Sequence, residues 1–156
     1  MFLSPVPILD VSFIADADIG QYLFASQGAA EGSVKVPTSA AEAYKTWGIT
    51  QFKGTAGKAV VVRIAGTSLL VANVAWTAGA NIGVEHATSA DRGKGRLVSV
   101  PSTPTPAATP TAAEVNAVTT YATAVMNYIR DSRAQAIAAA AAQNDYALVR
   151  INSSPF

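Results

Sequence analysis

Few residues in this chain are of types that do chemistry, and they lie far apart. Asp16 and Asp18 could form a pair of acids or half of a metal site, but no histidine or further acid stands near them. Capping a turn is the role expected of them. His86 is the sole histidine and sits beside Glu85; a ligand or general base needs partners that the neighbouring residues do not supply. The run Gly54-Thr-Ala-Gly57-Lys58-Ala59 is superficially like a phosphate loop. It fails the pattern, because Phe52 occupies the first glycine position, Ala59 replaces the magnesium-binding hydroxyl, and a strand follows. Nothing pairs an acid with a base or activates a nucleophile, so no catalytic residue, cofactor or metal is expected.

Arg92, Lys94 and Arg96 lie in the turn Asp91-Arg-Gly-Lys-Gly-Arg96, which suits either a solvated turn or a contact with an acidic partner surface. Elsewhere basic residues are scattered, and a net charge of +1 leaves no footprint for nucleic acid. Only 13% of residues are charged while 50% are hydrophobic, a balance that favours association and a surface covered by other subunits. There is no cysteine, so stability must come from packing or assembly. No stretch approaches the roughly 18 apolar residues of a membrane helix. The start, MFLSPVPILDVSFI, lacks a basic segment and has prolines within its apolar run, which argues against a signal peptide.

These residues must be positioned by strands. Gly54 to Val84 organises the chain: Val60, Val62 and Ile64, then Leu69 and Val71, show the period of two of half-buried strands. The spacing predicts a β-hairpin turning at Gly66-Thr-Ser, with a second reversal at Thr77-Ala-Gly79-Ala before Ile82 to Val84. Further strands are expected at Ile8–Ile14, Tyr22–Ala25, Val34–Pro37, Trp47–Phe52, Arg96–Val100 and Tyr146–Ile151, with a loop or one helical turn over Thr38–Tyr44. Many short strands between glycine turns predict a mainly β fold, a small barrel or sandwich of antiparallel strands. Residues 1–7 read as an extended arm in which Phe2, Leu3, Pro5, Val6 and Pro7 are uncharged, an arm to be ordered by a neighbouring subunit.

At Pro101 the pattern breaks. PSTPTPAATP over 101–110 is a polyproline stalk reaching about 30 Å at 3.1 Å per residue. Thr111-Ala-Ala-Glu114 has the form of a capping box, so a helix over 111–131 starts there. Val115, Val118, Ala122, Val125 and Ile129 follow at alternating spacings of three and four, the narrow seam of a coiled coil. That seam packs either on the chain's own β domain or on other copies. The alanine run after Arg133 extends the helix on propensity alone.

Four blocks, Ser12–Tyr22, Trp47–Phe52, Gly57–Gly66 and Thr77–Gly83, resemble in order and spacing the small capsid decoration, or cement, proteins of tailed phages. The resemblance covers Ile8 to Val100 and resumes at Ala134. It implies one β domain over 8–100 and 134–152, with 101–133 inserted, and a closing strand pair that makes Gln135–Ala139 a strand. It also implies no catalytic centre, a place on the capsid exterior of a virion, a homotrimeric state, and the major capsid protein as partner. The alternative is a head-fibre or adhesin module that recognises a host receptor or glycan.

Overall fold

The computed structural model describes residues 5–105 and 111–152. Its first strand, β1 (Pro7–Ala15), bonds on one side to the longest strand and at its end to a short one. β2 (Phe24–Gln27), β3 (Ser33–Lys35), the single turn α1 (Ala40–Ala43), β4 (Thr46–Thr50) and β5 (Ala59–Val71) follow. The order β1-β3-β2-β4-β5 closes on itself because β1 also pairs with β5, which makes a five-stranded barrel. The barrel joint is antiparallel from Pro7↔Gly66 to Ile14↔Ala59, and the β1–β3 joint is parallel at Ile14↔Ser33. Alternation fills the barrel, with Ala15, Ala25, Val34, Val60 and Val62 inside.

The hairpin expected at Gly66 does not form. β5 runs unbroken for 13 residues, and its partners change instead: Ala59 to Ala65 lie against β1, while Gly66 to Val71 pair with β9 (Tyr146–Ile151). Gly66 takes φ +105°, and a Cβ there would come within 2.5 Å of the Val6 carbonyl oxygen. The glycine thus marks a bend and a close backbone approach within a strand, a use that resembles a turn when only local sequence is read. β5 is in this way shared by the barrel and by an outer extension in the order β9, β8 (Ala134–Ala136), β6 (Asn81–Val84) and β7 (Gly95–Leu97).

A second cluster seals the extension against the barrel flank, with Phe24, Ile49, Leu70, Trp76 and Ile82 at its centre. Gly95 lies against this cluster, where a Cβ would come within 2.7 to 2.8 Å of Leu70, Ile82 and Trp76. The alanine run resolves into the short strand β8, after which Ala140 bridges to Trp76. Ala134, Ala136 and Ala140 are buried in the core, where their small size suits the close spacing of β6, β8 and β9 and overrides helix propensity. The strand expected over Gln135–Ala139 is therefore present only at its start. Asn144, at φ +68°, makes the turn into β9, which has the bounds expected of it.

Candidate interaction surfaces

The Asp residues near the chain start brace loops. Asp16 Oδ2 accepts from the Ala29 N–H at 2.5 Å, and Asp18 Oδ1 accepts from the Ala56 N–H at 2.9 Å. Bonds from Ser33 and Ala29 hold the Asp16 carboxyl below its ordinary pKa. Glu85 does similar work. Burial opposes its charge, but the N–H groups of Thr88 and Ala87 together with the nearby charge of Arg96 lower its pKa. His86 Nδ1 lies 3.3 Å from the Val84 carbonyl, within its own turn. Among the described residues no three His, Cys, Asp or Glu side chains are grouped to hold a metal ion. An open depression of about 520 Å³ runs along the inserted helix, and it is lined by Asn116, Thr119, Thr120, Thr123, Ala124 and Asn127. None of these side chains titrates near neutral pH, so the depression carries no acid–base pair.

Arg92, Lys94 and Arg96 are all engaged within the chain. Lys94 Nζ donates to Asp91 Oδ1 and to Asn144 Oδ1, each at 2.6 Å. Arg96 pairs with Asp131 at 2.7 Å, and Arg92 Nε donates to the His86 carbonyl at 3.2 Å. Lys94 and Arg96 thus serve as internal clasps, and their charges are matched before any partner arrives.

The arm needs a correction. Val6 and Pro7 are held by their own domain: the Val6 N–H donates to Thr67 Oγ1 at 2.6 Å, its carbonyl accepts from the Thr67 N–H at 2.9 Å, and Pro7 pairs with Gly66. Proline could join the sheet because β1 is unpaired on its other side here; β3 reaches only Ile14 and Ala15. Phe2 and Leu3 lie outside the described residues. Val6, Ile8, Leu9 and Ile14 present large apolar side chains to solvent, with Ile8 77% exposed. Asp10 interrupts them but is tied to Arg63 through two bonds of 2.7 and 2.9 Å, and the guanidinium holds its carboxyl below the usual range.

The inserted helix α2 (Ala112–Asp131) starts where its cap predicts. The Thr111 N–H donates to Glu114 Oε2 at 2.6 Å and Thr111 Oγ1 accepts from the Glu114 N–H at 3.4 Å. Not one residue of α2 is buried. Val115, Val118 and Ile129 are 59%, 57% and 62% exposed, and Ala122 is exposed too. Val125 departs from the expected seam. It is half-buried, on the side shared with Tyr121, Ala124 and Tyr128, while Met126 joins the exposed stripe.

Among the described residues, the ties of α2 to the β domain gather at its C-terminal end. Asp131 binds Arg96, Asn81 Nδ2 donates to the Tyr128 hydroxyl, and Arg130 sits 4.3 Å above the Tyr44 ring. Arg133, just beyond, donates to the Tyr44 carbonyl. A Cβ on Gly83 would lie 2.9 Å from the Asp131 carbonyl oxygen, so glycine lets the helix end settle on β6. The sequence singles out Arg96 but not its role at the helix root, and Asn81 and Gly83 carry no local signature, because all three lie far from the helix in sequence. No family model matches this chain, and no curated protein is significantly similar to it.

Proposed function

We propose that this chain is a structural virion protein that binds the outside of a phage capsid as a homotrimer and cements neighbouring major capsid protein subunits. The observation that carries the reading is the outward placement of large apolar side chains in two runs, Val6 to Ile14 at the start of and along β1, and Val115 to Ile129 on α2. A monomer in water gains nothing from such runs, whereas a protein that adds contacts at a lattice uses them. The barrel supports the same reading, because a closed sheet gives a rigid platform with few exposed edges. Charged side chains that clasp their own loops leave apolar and neutral polar surface for contact.

The test is reconstitution. Purified protein is added to capsids that lack it, and occupancy is read by electron microscopy together with resistance of the filled particles to heat. The proposal expects density on the outer surface at capsid-subunit junctions and delayed release of DNA. An absence of binding to capsids would overturn it, and binding to host cells in its place would establish the head-fibre or adhesin reading.

A further inference from the structure

We infer that α2 is an oligomerisation helix, and that three copies of the chain join through a parallel bundle of their α2 segments with the exposed residues Val115, Val118, Ala122 and Ile129 at its axis and Met126 beside it. The inference shares only the three-fold state with the cement reading and is tested with no capsid present.

From Val115 to Ile129 the helix holds no charged residue, yet nothing in α2 is buried. A helix meant to face water on most sides ordinarily carries charge there. Here identical helices can approach without like-charge repulsion on any flank, over a length of about 20 Å at 1.5 Å per residue. Second, the spacing is that of helix against helix. Steps of three and four through Val115, Val118, Ala122, Met126 and Ile129 make a stripe too narrow to cover a sheet, and its natural complement is another copy of itself.

Third, residue type sets the number. With Val115, Ala122 and Ile129 at one core position and Val118 at the other, the bulky seam residues at these positions are all β-branched and there is no leucine at the second. That pattern shifts preference from two strands to three or more. Met126, exposed beside the seam, widens it in the direction a third helix needs. Closed three-fold symmetry then requires the helices to run in the same direction. The segment is only two heptads, too short to associate as a free peptide. The root contacts at Asp131, Tyr128 and Arg130 remove that obstacle, because they fix one end on a folded domain before association begins.

The full-length chain is studied by sedimentation equilibrium from about 1 to 100 µM, a range that spans the common affinities of small interfaces. The expected mass is three times the 16.0 kDa of the chain. Val118→Asp with Ala122→Asp, both at exposed sites and so harmless to the monomer, should raise the concentration of half-dissociation at least about 100-fold. Asn116→Asp with Asn127→Asp adds the same charge away from the seam and should leave the trimer intact. As the chain has no cysteine, Ala122→Cys alone should give a disulfide-linked pair of chains on mild oxidation, whereas Asn116→Cys should not. A wild-type monomer or dimer at 100 µM overturns the inference. So does a trimer that the Val118→Asp, Ala122→Asp variant leaves unchanged, because its contacts would then lie elsewhere.

Discussion

β5 and α2 are the two longest elements of the molecule, and they satisfy their apolar residues in opposite ways. Along β5, Val60, Val62, Leu70 and Val71 are buried, first inside the barrel and then beneath the outer strands. Along α2 no residue is buried, although valines, a methionine and an isoleucine recur at regular spacing. β5 draws its stability from partners within the chain, whereas among the described residues the ties of α2 to the β domain lie at its C-terminal end. Apolar periodicity therefore announces that a face will be covered, without saying by which molecule.

The largest effect should come from breaking the β5 side of this contrast. Leu70→Ala empties a fully buried site shared by the barrel flank and the outer strands, and should destabilise the fold by about 2 to 5 kcal/mol in urea titration. Val118→Ala in α2, measured at a concentration dilute enough for monomers, should change the same midpoint by less than about 0.5 kcal/mol. Equal effects would erase the distinction.

Next in size is the contact between β4 and β5. A Cβ on Gly48 would sit 2.0 Å from the Arg63 carbonyl oxygen, so Gly48→Ala must push β4 from β5. A loss of about 1 to 3 kcal/mol is expected, with faster hydrogen exchange of the barrel amides and no change in the root contacts of α2. Unaltered stability would mean that the strands do not approach so closely.

A smaller and purely local effect is expected at the N-terminal end of the helix. Thr111→Ala removes half of the capping box and should weaken α2 by about 1 kcal/mol. Far-UV dichroism at 222 nm should fall while the near-UV signal of the barrel aromatics Phe13 and Trp47, 5.9 Å apart, stays constant. A loss of both signals would show that the helix and barrel unfold as one unit.

The contrast was only partly legible in the sequence, for physical reasons. β9 stood out because Tyr146 to Ile151 is apolar and β-prone and follows an Asn-Asp turn, all of it local. The helix start was equally local, written in Thr111 and Glu114. The continuity of β5 was not. Gly66-Thr-Ser has turn composition, and only pairing with residues some eighty positions later keeps the strand extended through it. The alanines of β8 misled for the same reason, since their small size answers to strands on either side. An uncharged apolar run with two prolines points to an arm ordered by a neighbour, but Val6 and Pro7 lie where the ladder is one-sided and join their own sheet. In the helix, a strict count of three and four chose Val125, whereas exposure follows the 3.6-residue turn and reaches Met126.

The smallest effect concerns pH. The Lys35 ammonium beside Glu42, with the Thr38 N–H and hydroxyl, lowers the Glu42 carboxyl from 4.5 to about 2. The folded form thus binds its proton less readily than the unfolded chain, so the stabilisation is complete above about pH 4.5 and disappears as pH falls towards 2. Glu42→Gln should flatten the decline in melting temperature across that window and leave the α2 signal untouched. An identical decline in the variant would assign the acid sensitivity to other carboxylates.

Hydrogen exchange at two protein concentrations tests the contrast between β5 and α2 most directly. At about 1 µM and at about 100 µM, the amides of Val62 and Leu70 should exchange at the same slow rate, because their protection comes from within the chain. The amides from Val118 to Val125 should exchange fast in the dilute sample and markedly more slowly in the concentrated one. Protection of α2 that is equally strong at both concentrations, or equally weak at both, would contradict the claim that this helix is completed by other copies of the chain.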